Sequence, residues 1–274
     1  MSREILQRYS IRAKKSLWQN FLVNENILQE IADAETILWE NIIEVWPGYG
    51  ALTEKLLEKN PKSLTLVELD SDMIQILEER ISFWELDTAD IKFNIIHQDV
   101  LEYAPDFESY KVIANIPYYI TSPILRHFLY DLEYTPKSML ILMQKDVGDK
   151  ILRKNKWKSS VLSLFIEKKC NVSEMILVPK ESFIPAPKIE SSVLLFNLHE
   201  DFIQIDDESF LKIIKIWFSE PRKKLIKNLI KWGFEKEKIW EYYKENNFSE
   251  NIRAEELDIR QWCDLVKILS KNQK

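Results

Sequence analysis

The stretch Asn41–Leu57, NIIEVWPGYGALTEKLL, decides the reading of the fold. Ile42, Ile43 and Val45 form a short apolar run that reads as a strand. A Pro47-Gly48 turn follows, and an amphipathic helix opens near Ala51. Small residues at such a turn let a nucleotide-like ligand approach the backbone. Trp46, however, stands at the head of the turn, where a large side chain is least expected.

Outward from this stretch the pattern repeats. Apolar runs at 63–69, 91–98, 110–116 and 138–144 alternate with helical stretches at 71–81, 122–132 and 145–152. This alternation predicts an α/β fold with a parallel sheet covered on both faces. SEMILVPK and ESSVLLFNL read as late strands at the sheet edge, with IPAPK as an extended connector. From about residue 207 the chain becomes helix after helix, which predicts a small all-helical domain over 201–274 beside a larger one over 1–200. Asn24 reads as the cap of a helix beginning ENILQEIADA.

The 274 residues, 46% hydrophobic, suffice for a sizeable core. No apolar run approaches the roughly 18 residues of a membrane span, and charges interrupt the N-terminus where a signal peptide needs apolar residues. A cytoplasmic location is expected. Cys170 and Cys263 have no disulfide or zinc spacing and read as half-buried thiols, and no metal site is expected. Net charge is −6, yet residues 211–231 hold seven Lys or Arg against one Glu. That run reads either as a solvated helix face or as a local field for phosphates.

Open α/β sheets bind ligands beyond the carboxyl ends of their strands. Glu68 ends the second apolar run, 20 positions after Gly48, and suits ribose hydroxyls. Asp99 ends the third and suits the exocyclic amine of an adenine. For each acid alone, a carboxylate facing a helix N-terminus is an equal reading. The turn lacks GxGxxG and a Walker lysine, so neither a dinucleotide nor a triphosphate is implied. The fourth run ends in NIPYY: Asn115 and the Pro117 carbonyl offer acceptors for a planar amine, and Tyr118 offers a ring for stacking on an extruded base. A proline-aromatic strand cap without chemistry is the alternative.

These motifs resemble the ribosomal RNA adenine N6-dimethyltransferases. The likeness runs nearly the whole length, through KKSLWQNFL (family KKSLGQNFL), EVWPGYGALT (family E-I-G-P-G-x-G-A-L-T), VELD, HQDVL, NIPYYITSPIL, LMQKDVGDKIL, FIPAPKIESSVLLF and FSEPRKKLIKNL. It implies a Rossmann-like class I methyltransferase sheet with S-adenosylmethionine as donor. It also implies dimethylation of two adjacent adenosines near the 3′ end of small-subunit (16S) rRNA, in free RNA or a pre-30S subunit, by a monomer. Donor contacts are implied at Asn20, Leu22, Trp46, Gly48, Glu68, Asp99 and Asn115, and target-base contacts at Asn115, Pro117 and Tyr118. Arg222, Lys223 and Lys224 would meet phosphates. The alternative is a large-subunit, macrolide-resistance type enzyme, which usually lacks the FSEPRKKLIKNL-like signature.

Composition departs from this pattern in one respect. Four glycines stand where usual composition gives about 19, while tryptophans number nine. Trp18, Trp46 and Trp157 fall where the family has glycine. One reading is that UGA codons meaning glycine are written as tryptophan. The other takes the letters as they stand and makes the chain an RNA-binding assembly factor without donor binding.

Overall fold

The central strands form where β-branched residues and leucines run together, and the longer helices where the apolar period lengthens. The computed structural model describes residues 2–88, 91–117, 120–154, 158–220, 223–231 and 235–270. An N-terminal arm carries α1 (Ser2–Arg8), the short β1 (Phe21–Leu22) and α2 (Glu25–Asp33). Asn24 caps α2, its side-chain oxygen accepting the N–H groups of Asn26 and Ile27 at 3.1 and 3.3 Å. Then β2 (Asn41–Val45), α3 (Ala51–Leu57), β3 (Ser63–Glu68), α4 (Ser71–Ser82) and β4 (Lys92–His97) alternate. They are followed by β5 (Lys111–Asn115), α5 (Thr121–Arg126), β6 (Ser138–Gln144), α6 (Lys145–Ile151) and α7 (Val161–Glu167). The last strands are β7 (Cys170–Val178), β8 (Phe183–Ile184) and β9 (Ser191–Leu198). Helices α8 (Asp207–Phe218), α9 (Leu225–Lys231), α10 (Lys236–Glu245) and α11 (Ile259–Ser270) complete the order.

Seven strands form one sheet in the order β4-β3-β2-β5-β6-β9-β7, and β1 pairs antiparallel with β8 in a separate ribbon. Pairings within β4-β3-β2-β5-β6 are parallel, and β9 runs antiparallel to β6. The central strands are buried on both faces: Ile42, Ile43, Leu64, Leu66, Val112, Ile113, Leu140 and Ile141 have almost no exposed surface. Such strands read as continuous apolar runs because helices cover both sides. From β2 the chain builds outward to β3 and β4, then returns to place β5 on the other side of β2. The order reverses between β2 and β5, which is where a doubly wound sheet opens a crevice.

By contacts the chain forms two units, Met1–Gly148 with Val172–Leu198 and Asp149–Asn171 with His199–Lys274. The second therefore takes α7 as well as α8–α11. Its core joins Leu164 of α7 to Phe210, Trp217, Leu225, Tyr243, Trp262 and Leu265. The short α1 and α7 have no counterpart in the sequence reading. Both cysteines are free and fully buried rather than half-buried.

Candidate active site

Beyond the tips of β2, β3 and β5 lies a cavity lined by residues of the N-terminal arm and of these strand ends. Asn20, Leu22, Trp46, Gly48, Glu68, Asn115 and Pro117 all border it. Asp99 does not. It sits two residues past His97, the partner of Glu68 in the β3–β4 register, and its carboxylate accepts the N–H of Leu101 at 3.0 Å. That bond caps a 3-10 turn, the structural role weighed for it above. Tyr118, Trp157 and Arg222 lie outside the described residues.

Glu68 organises the rim. One carboxylate oxygen accepts the Gly48 N–H at 3.1 Å, and the other accepts the N–H groups of Leu69 and Asp70, each at 2.9 Å. Burial raises its pKa while these donors oppose the shift. A carboxylate has about four lone-pair sites, so Glu68 keeps capacity for a ligand hydroxyl. Gly48 has φ +57° and Gly50 φ +84°. The backbone angle at Gly50 favours glycine, and a Cβ there would meet a Leu77 methyl at 2.8 Å and force that side chain to shift.

Two residues escaped the sequence reading. Glu44, in the middle of the NIIEV strand, borders the cavity and is almost fully buried. Burial pushes its carboxyl up to about 8, with the Thr53 hydroxyl bond at 2.7 Å opposing and the Glu68 charge adding. The available signal was an acid inside an otherwise apolar strand, which is costly unless it has a task. Arg80, also buried, donates to the carbonyls of Tyr49 and Gly50 at 2.7 and 3.2 Å and pairs with Glu54 and Glu85. It clamps the glycine turn from beneath. Nothing within α4 marks it, because Tyr49, Gly50 and Glu54 lie 26 to 31 residues away in sequence.

The arm is tied to the same rim. Lys14 and Gln19 donate to the two oxygens of Asp70 at 2.6 and 2.7 Å. Burial raises the Asp70 pKa, but these donors outweigh it and hold the carboxyl below its usual range. The Tyr49 hydroxyl donates to the Leu22 carbonyl at 3.0 Å. Asn20 donates to the Trp18 carbonyl at 3.1 Å, leaving its own side-chain oxygen as an acceptor at the cavity. At the tip of β5, the Pro117 carbonyl accepts the Ile120 N–H at 3.2 Å and retains a second lone pair.

A family model described as "Ribosomal RNA adenine dimethylase" matches residues 10–271. The chain belongs to that family. Among the relatives of this dimethylase is the ribosomal RNA small subunit methyltransferase A of Mycoplasma mobile. It is 38% identical over 251 residues, which cover 90% of this chain and 94% of the relative. A dimethyladenosine transferase from Plasmodium falciparum superposes with a TM-score of 0.77 at 23% identity, covering 92% of this chain and 98% of that one. The 23S rRNA methyltransferase ErmE superposes at 0.74 and 19% identity, covering 92% and 100%. The two solved structures establish the likeness of fold.

In the helical unit, α9 buries Leu225, Ile226 and Leu229 and exposes Lys223, Lys224 and Lys227 along its start and outer face. Lys223 pairs with Glu220 at 2.7 Å. Leu225 N–H donates to the Ile252 carbonyl at 2.9 Å, anchoring the entry to the helix. Among the described residues of the dimethylase, no helix is long and apolar enough to cross a membrane, and no group of three or more His, Cys, Asp or Glu is placed to hold a metal ion.

Proposed function

We propose that this chain is an S-adenosylmethionine-dependent rRNA adenine N6-dimethyltransferase whose substrate is a pair of adjacent adenosines near the 3′ end of small-subunit (16S) rRNA. The single observation that carries the reading is the convergence of Glu68, Gly48, Asn20 and Asn115 on one cavity at the reversal between β2 and β5. The residues suit the donor. Glu68 keeps an acceptor site for a ribose hydroxyl, and the buried Glu44, which holds its proton at neutral pH, lines the cavity wall as a neutral hydrogen-bonding group. Asp99 follows the tip of β4, outside the lining of this cavity, and its assignment to the adenine amine rests on the family resemblance alone.

The donor, when bound, supplies an activated methyl on sulfur, so the protein's task is position. The side-chain oxygen of Asn115 and the Pro117 carbonyl accept the N6 protons of the target, drawing its lone pair out of the ring. Tyr118 stacks on the extruded base. Nitrogen gains the methyl, the sulfonium leaves as a thioether, and the amine proton passes to water. Alignment of this kind supplies most of the rate. Lys223 and Lys224, with Arg222, hold phosphates independently of sequence.

The small-subunit assignment is supported by relatives named for that activity at 32–38% identity, whereas the large-subunit alternative rests on fold likeness alone. Transfer of labelled methyl groups to unmethylated small subunits, with large subunits as the comparison, tests it. Label on two adjacent adenines of the small-subunit RNA is expected. Label on the large subunit alone overturns the assignment.

A further inference from the structure

Among the described residues, eight that are not glycine have positive φ, and four of them are tryptophans: Trp18 (52°), Trp39 (59°), Trp46 (54°) and Trp84 (60°). Tryptophan accounts for only nine of the 274 residues. An L-residue with a bulky side chain is strained there, whereas glycine is not. Of the other four, Asn60 and Asn247 carry the short polar side chain that tolerates the left-handed region.

The local geometry asks for glycine at each of the four positions. After α4, the Glu85 N–H donates to the Arg80 carbonyl at 2.8 Å and the Trp84 N–H to the Ile81 carbonyl at 3.0 Å. This pair of bonds is the Schellman ending, and residue 84 is its left-handed position, usually glycine. Residues 37–40 close a turn through the Glu40 N–H and the Ile37 carbonyl at 3.0 Å. Trp39 is third in that turn, where positive φ calls for glycine or asparagine. In the loop after β2 the left-handed residues are 46, 48 and 50, and the latter two are glycine. Trp18 directly follows the 3-10 turn Lys15–Leu17.

At three of the four positions the side chain is mostly exposed. Trp18, Trp39 and Trp84 are 65%, 75% and 80% exposed. Trp217 and Trp262 are fully buried, their rings 4.8 Å apart, and Trp240 packs edge-on against Tyr243. The seven tryptophans among the described residues thus fall into two classes, one built into the helical core and one set on left-handed backbone.

We infer that positions 18, 39, 46 and 84 are glycine in the protein its own cell makes, and that 217, 240 and 262 are tryptophan. The inference adds 39 and 84, which no sequence motif marks, and it stands on backbone geometry whatever the protein binds. A UGA codon meaning glycine, written as tryptophan, produces this division. Two measurements decide it. The gene is expected to carry UGA at 18, 39, 46 and 84 and UGG at 217, 240 and 262, and peptides of the protein from its native cells to have the matching masses. One shared codon across both classes, or a tryptophan mass at any of the four, overturns it. Independently, Trp39→Gly and Trp84→Gly in the full chain should each raise Tm by about 2–4 °C, with Trp39→Ala and Trp84→Ala below the glycine variants. Alanine equal to glycine at both sites removes the backbone argument and the proposal with it.

Discussion

The Glu68 carboxylate accepts the Gly48 N–H at 3.1 Å, so the turn that ends β2 is held in place by the tip of its neighbour β3. The same side chain gathers the N–H groups of Leu69 and Asp70. Glu68→Gln removes the charge and leaves one acceptor oxygen for three donors. Hydrogen bonds to charged groups contribute about 1.5–3 kcal/mol, so donor affinity measured by calorimetry should fall about 10–100-fold. Unchanged affinity would remove Glu68 from the proposed donor site.

Glu44 makes the fold sensitive to pH. Its carboxyl rises from the ordinary 4.5 in the unfolded chain to about 8 in the folded one. The folded state therefore holds the extra proton between those values, and stability falls as pH rises through that window. Glu44→Gln keeps an acceptor for Thr53 but does not titrate. Its Tm should fall less between pH about 5 and 8 than that of the parent protein, as read by thermal melts. Parallel pH profiles would show that Glu44 does not carry the effect.

Arg80 joins α4 to the glycine turn and to Glu54 and Glu85. Arg80→Met fills much of the volume but leaves two carbonyls and two carboxylates without their cation. Loss of one partner of a buried pair costs about 3–5 kcal/mol, so urea unfolding should shift by that amount. A loss below about 1 kcal/mol would mean water replaces the guanidinium without strain.

Trp46 stands where the proposed donor's amino-acid tail meets the turn. Trp46→Gly should tighten donor binding at least about tenfold, or about 1.4 kcal/mol. Equal affinities with and without the indole would favour the reading in which this chain binds RNA and not the donor.

Lys223 and Lys224 are both exposed at the start of α9. Charge reversal at both should weaken binding to small-subunit RNA and lower the slope of log affinity against log salt by about 2. Donor binding should be unchanged. Loss of both activities together would show that the segment is structural.

Signals confined to a few neighbouring residues were legible along the chain: the apolar run of β6, the Asn24 cap, the turn after β2, and the acids and amide at successive strand ends. These elements form from contacts within a turn or a strand, so residue order is enough to reveal them. Tertiary structure alone settled which of those residues share a cavity. It brought Asn20 of the arm to Glu68 and Asn115, set Asp99 outside the lining, and gave Arg80 and Glu44 their partners. It also put Trp39 and Trp84 on left-handed backbone. Those outcomes depend on hydrogen bonds and packing between segments tens of residues apart, or on the angle at which a helix ends, and neither is written in local spacing.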